Sequence, residues 1–293
     1  MSKEKRVKLS QIELQVRDYE HEGESIIFLH FSGANLMMWQ RAIPYFQDQY
    51  RMILVDLRGH GKSDKPITGY HMDEMARDVV GIMQQLRLER AHIVGSSLGA
   101  EVGLSLAANF PVRVISLVCD GALSSEYGPY GTWEGTQEEF EAHIARQLEK
   151  MHTNPEKIYP SVDALVDQSR KSLEEIGWWN EYVEAMERYG AFELGDGNYT
   201  KSFMKAARIN YMQHYFHYHL EDYYRKVECP ILMLPGEDVF ENEREKAAME
   251  GLRGLAQRAH IVAVEGWVHP YGWMLNPEGM CTAIMKFLGT TRA

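Results

Sequence analysis

The sequence predicts an α/β fold: a mostly parallel central sheet with helices on both faces and an inserted helical cap. Three observations predict it. Short, unbroken apolar runs recur along the chain, as strands buried on both faces require. Stretches of helical period separate those runs. Between about Leu123 and Val227 the alternation stops, and it resumes near Cys229.

The elements follow in order. "KLSQIELQVRD" alternates, with Ile12, Leu14 and Val16 on one face and Glu13, Gln15 and Arg17 on the other, which is the pattern of a half-exposed strand. "SIIFLH" (25–30), "RMILVD" (51–56), "AHIVG" (91–95) and "VISLVCD" (114–120) then read as buried strands. Met75, Val79, Ile82, Met83 and Leu86 form one helical stripe between the second and third of these. Strand–helix alternation of this kind builds an open sheet with crossover helices. Residues 123–227 are helical in character and rich in aromatics, among them Trp133, Trp178, Trp179, Tyr182, Tyr189, Tyr215 and Phe216. "CPILMLPG" (229–236), "AHIVAVEG" (259–266) and a helix near Met280–Leu288 complete the pattern. The division is a core from 1–122, a helical cap from 123–227 and the rest of the core from 228–293. Ligands of open α/β sheets sit at the carboxyl ends of the strands, so a cap there closes the site.

Composition narrows the function. The chain has 293 residues, 45% of them hydrophobic, enough for a sizeable core. Formal net charge is −11, with 31 Lys and Arg against 42 Asp and Glu and no basic stripe. Such a surface repels phosphate backbones and anionic lipid, so neither nucleic acid nor membrane is an expected partner. The opening "MSKEKRVKLSQIELQ" is charged and lacks the apolar segment of a signal peptide. Cys119, Cys229 and Cys281 are far apart and read as buried, reduced thiols. A cytoplasmic protein is expected. "HYFHYH" places His214, His217 and His219 on different faces of a helix without a completing ligand, so no metal is expected.

Chemistry enters at "HIVGSSLGAEVG" (92–103). The pattern G-x-S-x-G needs small residues two before and two after a serine held on a sharp strand-to-helix turn. Ser97 has Gly95 and Gly99 at those positions, whereas Ser96 has Val94 and Leu98. An apolar strand precedes the motif and a helical stretch follows, so Ser97 is the candidate nucleophile.

"LHFSGANLMMW", "DLRGHGKSDKP", "VGSSLGA", "SLVCDGA", "LPGEDV" and "GWVHPYGWMLNPE", in that order, resemble the α/β-hydrolase fold family. The core up to Ala122 is most similar to capped esterases and enol-lactone hydrolases. A serine at the elbow sets the chain apart from haloalkane dehalogenases and epoxide hydrolases of the family, which carry an aspartate there. The resemblance assigns the base to His269, after the last strand and before the final helix. His60, in "RGHGKS", resembles a structural loop. The oxyanion hole takes the N–H of Leu98 and, from the family's His-Gly-x stretch, the N–H of Ser32. Phe31 stands where the family has glycine, which makes its own N–H the lesser candidate.

The acid is ambiguous. The family's Gly-x-x-Asp motif after "ILMLPG" lands on Val239, and Asp238 falls one position early. Asp238 is the expected acid, with Asp120 as runner-up because some relatives use the earlier strand, and Glu237 and Glu241 behind them. Phe31, Trp267 and Trp273 are expected to bind substrate. The expected function is hydrolysis of a small to medium carboxylic ester or lactone with an apolar or aromatic portion, through a Ser-His-Asp triad and without a cofactor. Cleavage of C–C bonds or thioesters on the same triad, and ligand reception on a hydrolase fold, are the alternatives.

Overall fold

The structure, a computed structural model, describes residues 2–291, so Met1 and the last two residues of the 228–293 part lie outside it. Among the described residues eight strands share one sheet. They are β1 (Ser2–Lys8), β2 (Glu13–Tyr19), β3 (Ser25–Leu29), β4 (Arg51–Val55), β5 (Ala91–Ser96), β6 (Val114–Asp120) and, after a two-stranded hairpin of β7 (Ala191–Glu193) and β8 (Tyr199–Lys201), β9 (Ile231–Met233) and β10 (Ala259–Ile261). The sheet order is β1-β2-β4-β3-β5-β6-β9-β10. From β4 to β10 all neighbours are parallel, while β1 and β2 join antiparallel at one edge.

The apolar runs are unbroken because the sheet is covered twice. Ile27, Ile53, Ile93, Leu117 and Ile231 enter one core, with α2 (Met72–Gln85) and α3 (Leu98–Asn109). Their strand neighbours Phe28, Met52, Val94, Val118 and Leu232 enter a second core with Trp39, Trp273 and Phe287. Alternate side chains thus point to opposite faces, and neither face can be polar.

Two expectations change. "SKEKRVK" carries no apolar pattern, yet it forms strand β1, paired from Ser2↔Tyr19 to Lys8↔Glu13. Cross-strand ion pairs replace burial there: Lys5 meets Asp18 at 2.6 Å and Arg17 meets Glu4 at 2.6 Å. A charged edge strand also discourages pairing with another chain. The last two strands are shorter than their apolar runs, with three residues each. Pro230 and Pro235 bound the first, since proline cannot donate to a ladder. The second is the sheet edge, where Val262 is exposed.

Between β6 and β9 lie α4 (Gln137–Thr153), α5 (Val162–Glu174), α6 (Glu181–Tyr189), α7 (Lys205–Tyr215) and α8 (Leu220–Tyr224). The β7–β8 hairpin interrupts this otherwise helical stretch. Gly195 and Gly197, with φ of +87° and +82°, make its turn. The segment is tied to loops that follow strand ends. Asn35 donates to the carbonyl of Met186 at 2.9 Å, Tyr189 to Asp56 at 3.0 Å, and Tyr224 to the carbonyl of Ala122 at 2.9 Å. It therefore sits over the carboxyl end of the sheet.

Candidate active site

Ser97 closes β5 and caps α3 with φ +50° and ψ −118°. A non-glycine residue at positive φ is strained and persists only where its surroundings hold it. Here glycine packing holds it. A Cβ on Gly95 would come within 2.3 Å of the Gly99 carbonyl oxygen, and one on Gly99 within 2.0 Å of the Leu29 carbonyl oxygen. The second contact brings the start of α3, hence Leu98, against the end of β3, which runs on into His30, Phe31 and Ser32. The Ser97 side chain makes no capping bond to its own helix. Ser96 points elsewhere: it is fully buried, and its hydroxyl donates to Asp120 at 2.7 Å.

Asp120 is the last residue of β6, in register with Ser96, and its carbonyl accepts the Ser97 N–H at 2.6 Å. Sheet pairing thus delivers the carboxylate beside the elbow. Four donors meet it: Oδ1 accepts from His269 Nδ1 at 2.7 Å and from Trp267 Nε1 at 3.1 Å. Oδ2 accepts from Ser96 and from Trp273 Nε1 at 2.7 Å. Because a carboxylate only accepts, Nδ1 of His269 carries the proton and Nε2 is left as the basic nitrogen. Burial alone would push Asp120 up, but the charge of His269 and these donors hold it below the usual carboxylate range. Burial presses His269 down, and the Asp120 charge and hydrogen bond outweigh it, so His269 lies above the ordinary imidazole value of 6.5.

The expectation for Asp238 is corrected by this geometry. The short turn after β9 leads at once into α9 (Glu237–Glu241), so Asp238 enters in a first helical turn. Its carboxylate folds back beside Gly236, and although it reaches the same cavity and touches the His269 field, the bonded partner of His269 is Asp120.

Gly121 was not singled out in the sequence. With φ +116°, a Cβ there would lie 2.8 Å from the Ser97 N and Cα and 3.5 Å from His269 Cε1. This glycine is what lets the serine and the imidazole approach, and the "DG" at the end of an apolar run was its signal.

Ser97 and His269 open on a cavity of about 240 Å³ lined by Asp120, Gly121, Glu101, Glu126, Tyr215, Leu220, Leu234 and Asp238, among others. Phe31, Trp267 and Trp273 do not line it. Phe31 is buried against Tyr271, with ring centroids 5.4 Å apart. Trp267 and Trp273 are buried behind Asp120 as its donors. The indole N–H needs a partner when buried, and here the partner is the carboxylate. Of the aromatics in 123–227, Tyr215 and Tyr218 line the cavity, whereas Trp133 packs on Phe140 and Trp178 on Tyr271. The lining mixes carboxyl groups and serines with Leu123, Leu220, Leu234 and Val239.

His30 and His60 are structural in geometry. His30 is buried, accepts the Leu57 N–H at 3.0 Å and sits 2.8 Å from the Phe31 carbonyl, which pins the loop carrying Ser32. Burial drops its pKa to about 4, so it stays neutral. His60 stacks on Phe203 with centroids 4.0 Å apart. Among the described residues no group of three or more His, Cys, Asp or Glu is arranged to hold a metal. None of the described helices is long and apolar enough to cross a membrane.

A serine on a strained strand-to-helix turn, an imidazole and a buried carboxylate at the ends of parallel strands define the architecture of an α/β hydrolase. Residues 24–238 match the family described as alpha/beta hydrolase fold, and the chain belongs to it. Over 110 residues it is 36% identical to 3-oxoadipate enol-lactonase 2 of Acinetobacter baylyi, covering 38% of this chain and 41% of that one. Over 114 residues it is 37% identical to 2-(acetamidomethylene)succinate hydrolase of Mesorhizobium japonicum, covering 39% and 41%. The matched stretch spans about two fifths of these relatives' length. A solved structure of E-2-(acetamidomethylene)succinate hydrolase superposes with a TM-score of 0.76 at 25% identity, covering 99% of this chain and 100% of the other.

Proposed function

We propose that the protein is a serine hydrolase that opens a carboxylic ester or lactone through an acyl-enzyme on Ser97. The observation that carries this reading is the hydrogen bond of half-buried His269 to buried Asp120, beside a strained serine in one cavity. Serine is a weak nucleophile until a base takes its proton. In the proposed cycle Nε2 of His269 takes the Ser97 proton as Oγ attacks the carbonyl carbon, and Asp120 stabilises the imidazolium. The proton then passes to the leaving oxygen, the C–O bond breaks, and water repeats the sequence to release the acid. The N–H groups of Leu98 and Ser32 are the proposed donors to the oxyanion, worth about 3 kcal/mol each where such a donor has been removed. Relatives named as an enol-lactonase and as a hydrolase of an acylated enamine support carbonyl chemistry at this centre.

Residues 123–227 act in this reading as a cap, since α7, α8 and the turn between them bring Tyr215, Leu220 and Tyr218 to the cavity. The three buried, unpaired cysteines support a reducing compartment, the cytoplasm. The test is labelling with a fluorophosphonate alongside a screen of p-nitrophenyl esters, lactones and C–C substrates. Wild type and Ser96→Ala should label and turn over an ester or lactone, and Ser97→Ala should do neither. Labelling of Ser97→Ala at full stoichiometry would overturn the assignment, and stoichiometric retention of a ligand without turnover would turn it into a receptor.

A further inference from the structure

Several carboxyl groups line the cavity beside the elbow. Glu101 lies four residues after Ser97 on α3, so the two share a helix face one turn apart. It is the single ionisable residue of a helix otherwise made of Leu, Gly, Ala, Val, Ser and Asn, and it is 4% exposed. An apolar side chain would pack there without the desolvation penalty that a buried carboxyl carries. Among the described residues its donor is the hydroxyl of Tyr211, 3.0 Å and 3.1 Å from the two oxygens. One hydroxyl has one hydrogen to give, so a carboxylate at this place keeps oxygen lone pairs without a donor. Burial pushes Glu101 up to about 8, the mark of a carboxyl whose surroundings do not supply compensating charge. Glu126, bonded by Tyr215, with Asp238 and Glu245, lines the same space, and no Lys or Arg is among the lining residues. Apart from His269, the acidic and basic side chains that line the cavity are all carboxyl groups.

We propose that Glu101 is the specificity determinant of this site, and that the substrate's acyl portion carries a cationic group that reaches it while anionic acyl groups are rejected. The inference rests on the serine-hydrolase reading of Ser97. One helical turn rises about 5.4 Å, which sets the cation about four bonds from the scissile carbonyl. Bound there, the cation supplies the positive charge that the surroundings of Glu101 lack and favours its ionised form. Glu126, Asp238 and Glu245 add attraction along the approach.

Three p-nitrophenyl esters differing in charge test this: 4-(trimethylammonio)butanoate, the neutral isostere 5,5-dimethylhexanoate, and 4-sulfobutanoate. In wild type kcat/KM should rank cation, neutral, anion. The cation-to-neutral ratio should be about tenfold or more, as for an interaction with a charged partner. In Glu101→Gln that ratio should fall toward one, whatever happens to the absolute rates. A wild-type ratio of one or below, or a ratio unchanged in Glu101→Gln, would overturn the proposal; the wild-type series decides it even if the variant does not fold. Were no ester turned over, protection from fluorophosphonate labelling by the same three compounds would be read in the same order. Failure of the fluorophosphonate to label wild type sinks the serine reading itself, whereas labelling without charge ranking sinks the cation alone.

Discussion

Two buried carboxyl groups face the same cavity and are handled in opposite ways. Asp120, on the sheet side, is 1% exposed and accepts four hydrogen bonds from His269, Ser96, Trp267 and Trp273. Glu101, on the helix side, is 4% exposed and has Tyr211. The first lies below its ordinary pKa and the second rises to about 8. Burial is nearly equal, so burial does not decide the charge. The number of donors and the nearby imidazole do. The sheet side is a finished electrostatic device, and the helix side is one that our proposal has a ligand complete.

The largest effect should come from removing the finished side. An Asp→Asn change in a triad favours the wrong imidazole tautomer, and about 10⁴ in kcat has been lost that way in a protease. Asp120→Asn is expected to lose about 10³ to 10⁴ in kcat on a good ester while remaining folded by circular dichroism. Asp238→Asn should stay within about tenfold of wild type, since no transition-state partner is lost. The reverse ranking would return the acid to α9.

A smaller change makes Asp120 resemble Glu101. Trp273→Phe keeps a ring against Trp39, 4.6 Å away between centroids in wild type, and deletes one donor. Losing a hydrogen bond to a charged group corresponds to about a tenfold drop in kcat/KM. An unchanged rate would mean that Trp273 packs without positioning.

The gentlest measurement is the pH profile. His269 must be neutral to accept a proton, so activity is present above its pKa and lost as pH falls through it. Because Asp120 raises that pKa, the acid limb of kcat/KM should lie above 6.5. Asp120→Asn removes the opposing charge and leaves burial, so the limb should move down. Trp273→Phe leaves the carboxylate less stabilised and more strongly attracted to the imidazolium, so the limb should move up. A limb at the same pH in all three proteins would break the coupling between Asp120 and His269.

Much of the site was legible where a local rule governs it. Ser97 follows from the glycines at 95 and 99, whose missing Cβ atoms are what allow the turn. His269 was pointed to by the family resemblance of the stretch after the last strand. Strand β1 was hidden because ion pairs, rather than apolar side chains, attach it to the sheet. Trp267 and Trp273 were misread as substrate contacts because composition marks an indole as useful without saying which way its N–H points.

By itself the sequence determined the α/β layering, through unbroken apolar runs, and the identity of the elbow, through glycine spacing; both are properties of contiguous residues. Only the tertiary structure shows that His269 is hydrogen-bonded to Asp120 rather than to Asp238, which lie 118 positions apart along the chain. That choice depends on β6 lying next to β5, with Ser96 in register with Asp120. It also decided the character of the cavity, by folding 123–227 so that Tyr211 and Tyr215 meet Glu101 and Glu126. The physical reason is the same in both cases. A carboxylate's role is set by the donors within about 3 Å of it, and in a folded chain those donors come from distant segments.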